Sequence, residues 1–98
     1  MITIEEVNRF INELTERHLV LTIYELKQKL VDIMSEFNND ISQEQFNNYI
    51  NNKCLKDKDG VELIPSFYSE VIHNLKTELV CFCNEDYIKS IVYLFKTD

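Results

Sequence analysis

The chain has 98 residues, 45% of them hydrophobic and 28% charged, with a formal net charge of −7. That length makes one domain with a modest core, and the hydrophobic content excludes a disordered chain. No apolar run approaches the roughly 18 residues of a membrane span, and MITIEEV carries acids where a secretion signal carries bases, so a soluble, cytoplasmic protein is expected.

Thr3-Ile4-Glu5-Glu6 reads as a capping box, in which a hydroxyl and a carboxylate three residues apart each satisfy a free backbone N–H. Val7, Phe10, Ile11 and Leu14 follow at helical spacing and predict a first helix over 4–17. His18-Leu19-Val20-Leu21 is apolar and β-branched, which suits a short strand or a buried connection. Thr22-Ile23-Tyr24-Glu25 repeats the capping box, and Ile23, Leu26, Leu30, Ile33, Met34 and Phe37 predict a second helix over 23–37. Ser42-Gln43-Glu44-Gln45 is a third box, opening a short helix over 43–52 with a narrow apolar face of Phe46, Tyr49 and Ile50.

Asp59-Gly60, flanked by alternating residues, predicts a β-hairpin over 55–63. Pro65 suits the first turn of a fourth helix over 66–81, whose stripe runs Tyr68, Val71, Ile72, Leu75, Leu79 and Phe82 and ends with a strand-like Leu79–Cys83. Asn84 caps a last helix, with Glu85 and Asp86 near its positive end and Ile88, Ile91, Val92 and Phe95 on its buried face.

The fold expected is therefore mainly α: one small domain over 1–98, with about five helices and a short hairpin. The order of elements over 4–64 resembles a winged helix-turn-helix, with residues 65–98 adding C-terminal helices. The resemblance is one of order, carried by LTIYELKQKL, DISQEQFNNYIN and KDKDGVEL. It implies a recognition helix over 43–52 and a wing at 55–63. The stretch up to Phe37 runs longer than that pattern, leaving 38–41 as the turn.

Winged helices dock on DNA or on proteins, so fold does not decide function. For DNA, Gln43, Asn47, Asn48 and Asn51 are the residue types that read adenine, with Lys53, Lys56 and Lys58 for phosphate. Residues 22–58 carry five bases against six acids, however, and residues 59–98 three against seven, a poor balance for a polyanion. A dimer would pool the lysines of two wings. The same amides also suit a solvated helix face.

Catalysis and metal binding have little to work with. His18 and His73 have no nucleophile or acid at a spacing that pairs with either, and the single glycine leaves no phosphate loop. Cys54, Cys81 and Cys83 form no metal spacing, since positions i and i+2 point to different sides of a helix. Asp57-Lys58-Asp59-Gly60 lacks the acids a calcium loop requires before and after it. No enzyme, metal or cofactor is expected.

The reading favoured is a non-enzymatic acidic binding protein acting on a protein partner with a basic surface. Glu62, Glu70, Glu78, Glu85 and Asp86 would form its acidic face, with Tyr87 as an aromatic anchor beside Tyr49, Tyr68 and Tyr93. The absence of Ala, with few Gly, Pro and Arg, points to an AT-rich genome, consistent with a phage- or plasmid-encoded inhibitor, immunity protein or adaptor. The alternative is a winged-helix DNA-binding transcriptional regulator.

Overall fold

A computed structural model describes residues 2–14, 19–37, 40–63 and 68–97. The described elements are α1 (Ile4–Glu13), α2 (Leu19–Phe37), α3 (Gln43–Cys54), α4 (Tyr68–Cys81) and α5 (Glu85–Thr97). They assemble into a flattened body of 35 × 33 × 18 Å.

Three helix starts behave as their sequences dictate. Thr3 Oγ1 accepts from the Glu6 N–H at 3.1 Å, and Ser42 Oγ accepts from the Gln45 N–H at 3.0 Å. Asn84 Oδ1 accepts from the N–H groups of Asp86 and Tyr87, so its carboxamide opens α5. The apparent box at Thr22 is not a start. α2 begins at Leu19, and Thr22 lies buried inside it. The strand read into 18–21 is thereby corrected over Leu19–Leu21; His18 lies outside the described residues. The reason is one of register. Thr22 shares a helical face with Leu26 and Ile33, so extending the helix backward keeps the same stripe against the core.

α2 is the central element and α4 its main partner. Leu26, Leu30 and Met34 of α2 meet Val71, Leu75 and Leu79 of α4, all sealed from solvent. Phe46, Ile50 and Cys54 of α3 and Ile88, Ile91 and Val92 of α5 complete the core. α1 contributes Val7, with Leu14 just beyond its end, and the Lys29 ammonium sits 5.3 Å from the centre of the Phe10 ring. The strand-like reading of Leu79–Cys83 is also corrected. α4 continues to Cys81, and Phe82, Cys83 and Asn84 donate back to Glu78, Val80 and Cys81 in helical turns.

The wing is absent. Among the described residues there is no strand, only an isolated antiparallel bridge between Lys56 and Glu62. A winged helix needs a hairpin of two strands, so the resemblance in element order does not hold. The cause lies in α3. It runs to Cys54 with Leu55 as its cap, leaving only Lys56 and Asp57 before the turn, too little chain for a strand.

What forms instead is a closed loop. Asp57 Oδ1 accepts from the N–H groups of Asp59 and Val61, and the Asp57 N–H donates to Val61 O at 2.9 Å. Gly60 closes it with φ +82°. A Cβ there would meet no atom within 4 Å, so a side chain is opposed by backbone conformation alone. Gly60→Ala is therefore expected to lower stability by about 1 kcal/mol, read as a lower urea midpoint with an unchanged helical circular-dichroism spectrum. An unchanged midpoint would show that the loop adopts this turn without help from glycine.

Candidate functional site

The residues expected to form one acidic face are dispersed. Glu70 is exposed on the first turn of α4, and Glu85 and Asp86 are exposed at the start of α5. Glu85 pairs with Lys89 at 3.4 Å, an exposed contact one turn along the same helix. Glu62 is exposed in the loop after α3. Glu78 is not a surface residue: only 3% of it is exposed. Its position repeats the α4 stripe, three residues after Leu75 and four before Phe82, so the helix turns it into the core.

A buried carboxylate must be satisfied by hydrogen bonds, because isolated burial costs several kcal/mol. Two phenols provide them. The Tyr87 hydroxyl donates to Glu78 Oε1 at 2.6 Å, and the Tyr49 hydroxyl donates to the same oxygen at 3.0 Å. The two hydroxyl oxygens lie 3.3 Å apart. Two phenolic protons serve three contacts, so this longest one is left without a proton of its own. The 2.6 Å contact has the length of a charge-assisted hydrogen bond. Tyr49 comes from α3, Glu78 from α4 and Tyr87 from α5, so one oxygen fastens three helices.

This corrects the role expected of Tyr87 as well. Its hydroxyl is committed inward and its ring packs on Phe82 at 5.9 Å, so it is not a free anchor. Tyr49 stacks on Phe46 and meets Phe95 edge-on. Both phenols are pushed well above their ordinary acidity range. For Tyr49 burial is the main cause, reinforced by the Tyr87 hydroxyl and the negative Glu78. For Tyr87 burial again leads, followed by its bond to Glu78, with the Tyr49 hydroxyl opposing. Burial and the charge of Glu78 push the Cys54 thiol up to about 12, against opposing Lys53 and Lys27.

The surface features that do assemble lie on either side of α2. On one side is an apolar groove of about 380 Å³. Val20 and Ile23 of α2, Leu55 and Leu63 of the loop, and Tyr68 and Val71 of α4 line it, with Glu62 at its polar edge. The exposed first turns of α2 carry Val20, Leu21 and Tyr24, each about half to two-thirds exposed. Val61 of the adjoining loop is also exposed. Sequence reasoning missed this face because it read 18–21 as a short strand or a buried connection and placed Tyr24 inside a cap. The signal was present: three large apolar residues lie off the stripe that Leu26 and Leu30 define.

On the other side, α2 and α3 enclose a polar trough. The amides proposed for base reading are brought together there in part. Gln43, Asn47 and Asn51 face Tyr24, Lys27 and Gln28. Asn48, Asn51, Asn52 and Lys56 continue it toward the loop. Lys53 and Lys58 are exposed and do not line it. The Lys27 ammonium donates to Asn51 Oδ1 at 3.0 Å. Sequence reasoning passed over Lys27 because its position on α2 gives no hint of the α3 carboxamide opposite.

His73 is exposed, Cys54 is buried, and Cys81 and Cys83 are half-buried. Among the described residues no three His, Cys, Asp or Glu side chains gather closely enough to hold a metal ion, and no helix is long and apolar enough to cross a membrane. Comparison with protein-family models, curated proteins and solved structures finds no match for this chain.

Two tests follow from the buried carboxylate. Glu78→Ala removes the acceptor of two phenols and should lower stability by roughly 3 kcal/mol, measured by urea unfolding, with Glu78→Gln losing less because its carbonyl still accepts. Equal losses would mean that the negative charge, which both variants lack, matters, and not the packing or the acceptor that glutamine keeps. The second test is alkaline. Groups raised in the folded state favour folding below their unfolded values, and that contribution is lost as pH climbs toward the folded ones. Stability should therefore decline from about pH 9, where an ordinary thiol titrates (9.0), for Cys54, and from about pH 10, where an ordinary phenol titrates (10.0), for the two tyrosines. The Tyr49→Phe, Tyr87→Phe double variant should show a shallower decline above pH 10, and an identical slope would remove the tyrosines from the account.

Proposed function

We infer that this protein is a non-enzymatic binding domain that docks on a protein partner, acting as an inhibitor or adaptor. The observation that carries this reading is the exposed apolar face of Val20, Leu21 and Tyr24 beside the groove. Water pays little regard to single exposed apolar residues, but three within two turns of a helix, next to an apolar depression, have the character of a contact surface. Tyr24, with 65% of its surface exposed, is of the residue type that dominates interface energy.

Charge supports a partner of stated chemistry. Glu62 stands in the groove wall and Glu70 is exposed on α4, the helix that supplies Tyr68 and Val71. The net charge of the chain is −7. An apolar anchor with a lysine or arginine close by on the partner would fill the groove and meet Glu62. The acids steer the encounter, and the apolar contact holds the complex. This face takes the place of the dispersed acidic surface, of which Glu78 is no part.

Site-specific photo-crosslinking tests the reading. A crosslinker placed at position 24 should capture a partner protein from the lysate of the source cell after nuclease treatment, and one placed at exposed Tyr93 on α5 should not. Val20→Glu should abolish capture without lowering the unfolding midpoint. Glu62→Lys with Glu70→Lys should slow association by about tenfold at low salt and much less at high salt. Equal capture from positions 24 and 93, or capture that disappears with nuclease, would overturn the proposal.

A further inference from the structure

We propose that the trough between α2 and α3 is a binding site for a nucleotide, taken either free or as part of a single strand. It adjoins the apolar face, with which it shares Tyr24, Leu55 and Glu62, and carries a different chemistry. Two neighbouring depressions of about 500 and 360 Å³ lie along α3, with the hydrogen-bonded Lys27 and Asn51 lining both. Each alone is within the size range of small-ligand sites.

The lining contains the three elements of nucleotide recognition. Carboxamides come first. Gln43 and Asn47 line one half and Asn48 and Asn52 the other, while Gln28 already donates to Asp32 Oδ1 and Asn51 Oδ1 accepts from Lys27 between them. A carboxamide offers a donor and an acceptor side by side, which matches the edge of a nucleobase, adenine above all. Tyr24 comes second. It stands at the edge of the trough with most of its ring exposed, a surface on which a base can stack.

Cations come third. Lys27 and Lys56 line the trough against one acid, Glu62, so its balance is positive on a chain of net charge −7. Lys27 is half-buried, and among the described residues its hydrogen-bond partner is the neutral Asn51, with no carboxylate within 4 Å. A half-buried ammonium whose partner among the described residues is an amide oxygen is poised for an anion. A neutral sugar would leave both lysines unused, and a simple carboxylate would leave the amides and Tyr24 unused. Phosphate joined to a base uses all three. The acidic remainder of the surface disfavours a long duplex, which restricts the ligand to a short or single-stranded one.

Chemical-shift mapping of the isotopically labelled full chain tests the assignment, with AMP, ribose 5-phosphate and an oligodeoxyadenylate of about six nucleotides as probes. The expected result is perturbation of the side-chain amides of Asn47, Asn48 and Asn51 by AMP and the oligonucleotide, and much weaker perturbation by ribose 5-phosphate. Binding of both nucleotide probes supports a free-nucleotide ligand, and binding of the oligonucleotide alone supports a single strand. Lys27→Gln should weaken binding at least about tenfold. Lys56→Gln provides the same test should Lys27→Gln disturb the α2–α3 contact. Equal affinity for AMP and ribose 5-phosphate, no perturbation by any probe, or unchanged affinity in both lysine variants would overturn the proposal.

Discussion

The fold depends on one oxygen atom. Glu78 Oε1 receives the hydroxyls of the half-buried Tyr49 and Tyr87, and those three side chains belong to three different helices. Apolar packing is tolerant of sliding, because a leucine displaced by part of a turn still finds apolar neighbours. A buried carboxylate is not tolerant. It is satisfied in few arrangements and is costly in the others, so it specifies how α3 and α5 sit on α4. The aromatic rings around it, Phe46, Phe82 and Phe95, keep water out and shorten the list of alternatives further.

The same constraint explains why the polar surface is divided as it is. α3 presents Phe46, Ile50 and Cys54 to the core and Tyr49 to the carboxylate. Its opposite side, with Asn47, Asn48, Asn51 and Asn52, is then left facing α2 and solvent. α2 meets that side with Tyr24, Lys27 and Gln28 because its own apolar stripe is committed to α4. The trough is a consequence of two helices that each bury their apolar side elsewhere. That origin accounts for its polarity, and the Lys27–Asn51 bond is what bridges it.

How much of this could be read from the sequence differs by element. The caps at Thr3, Ser42 and Asn84 were legible because capping is local chemistry between a side chain and backbone two or three residues away. Five helices were legible because their apolar periods are long. The wing was not excluded by any local signal: Asp59-Gly60 does make its turn, with Gly60 at positive φ. What removes the strands is the extension of α3 to Cys54, a boundary that propensity does not fix. Thr22 misled for the opposite reason, since a buried threonine in a helix looks like a cap when only its neighbours in sequence are considered. Glu78 was legible in principle, for it lies on the stripe of Leu75 and Phe82. It was read as surface because charge was weighed before period, and its partners, Tyr49 and Tyr87, lie 29 and 9 residues away.

The two candidate surfaces are not independent, because both end on the loop after α3. Leu55 and Glu62 line the apolar groove and also the larger half of the trough. The loop itself is closed by the Asp57 carboxylate, the backbone bridge between Lys56 and Glu62 and the Leu63 N–H donating to Leu55 O at 2.9 Å. Coupling between two sites requires one element whose position both ligands bias, and it is reciprocal when it exists. Residues 55–63 line both depressions through Leu55 and Glu62, so they are the segment on which such a coupling would have to act.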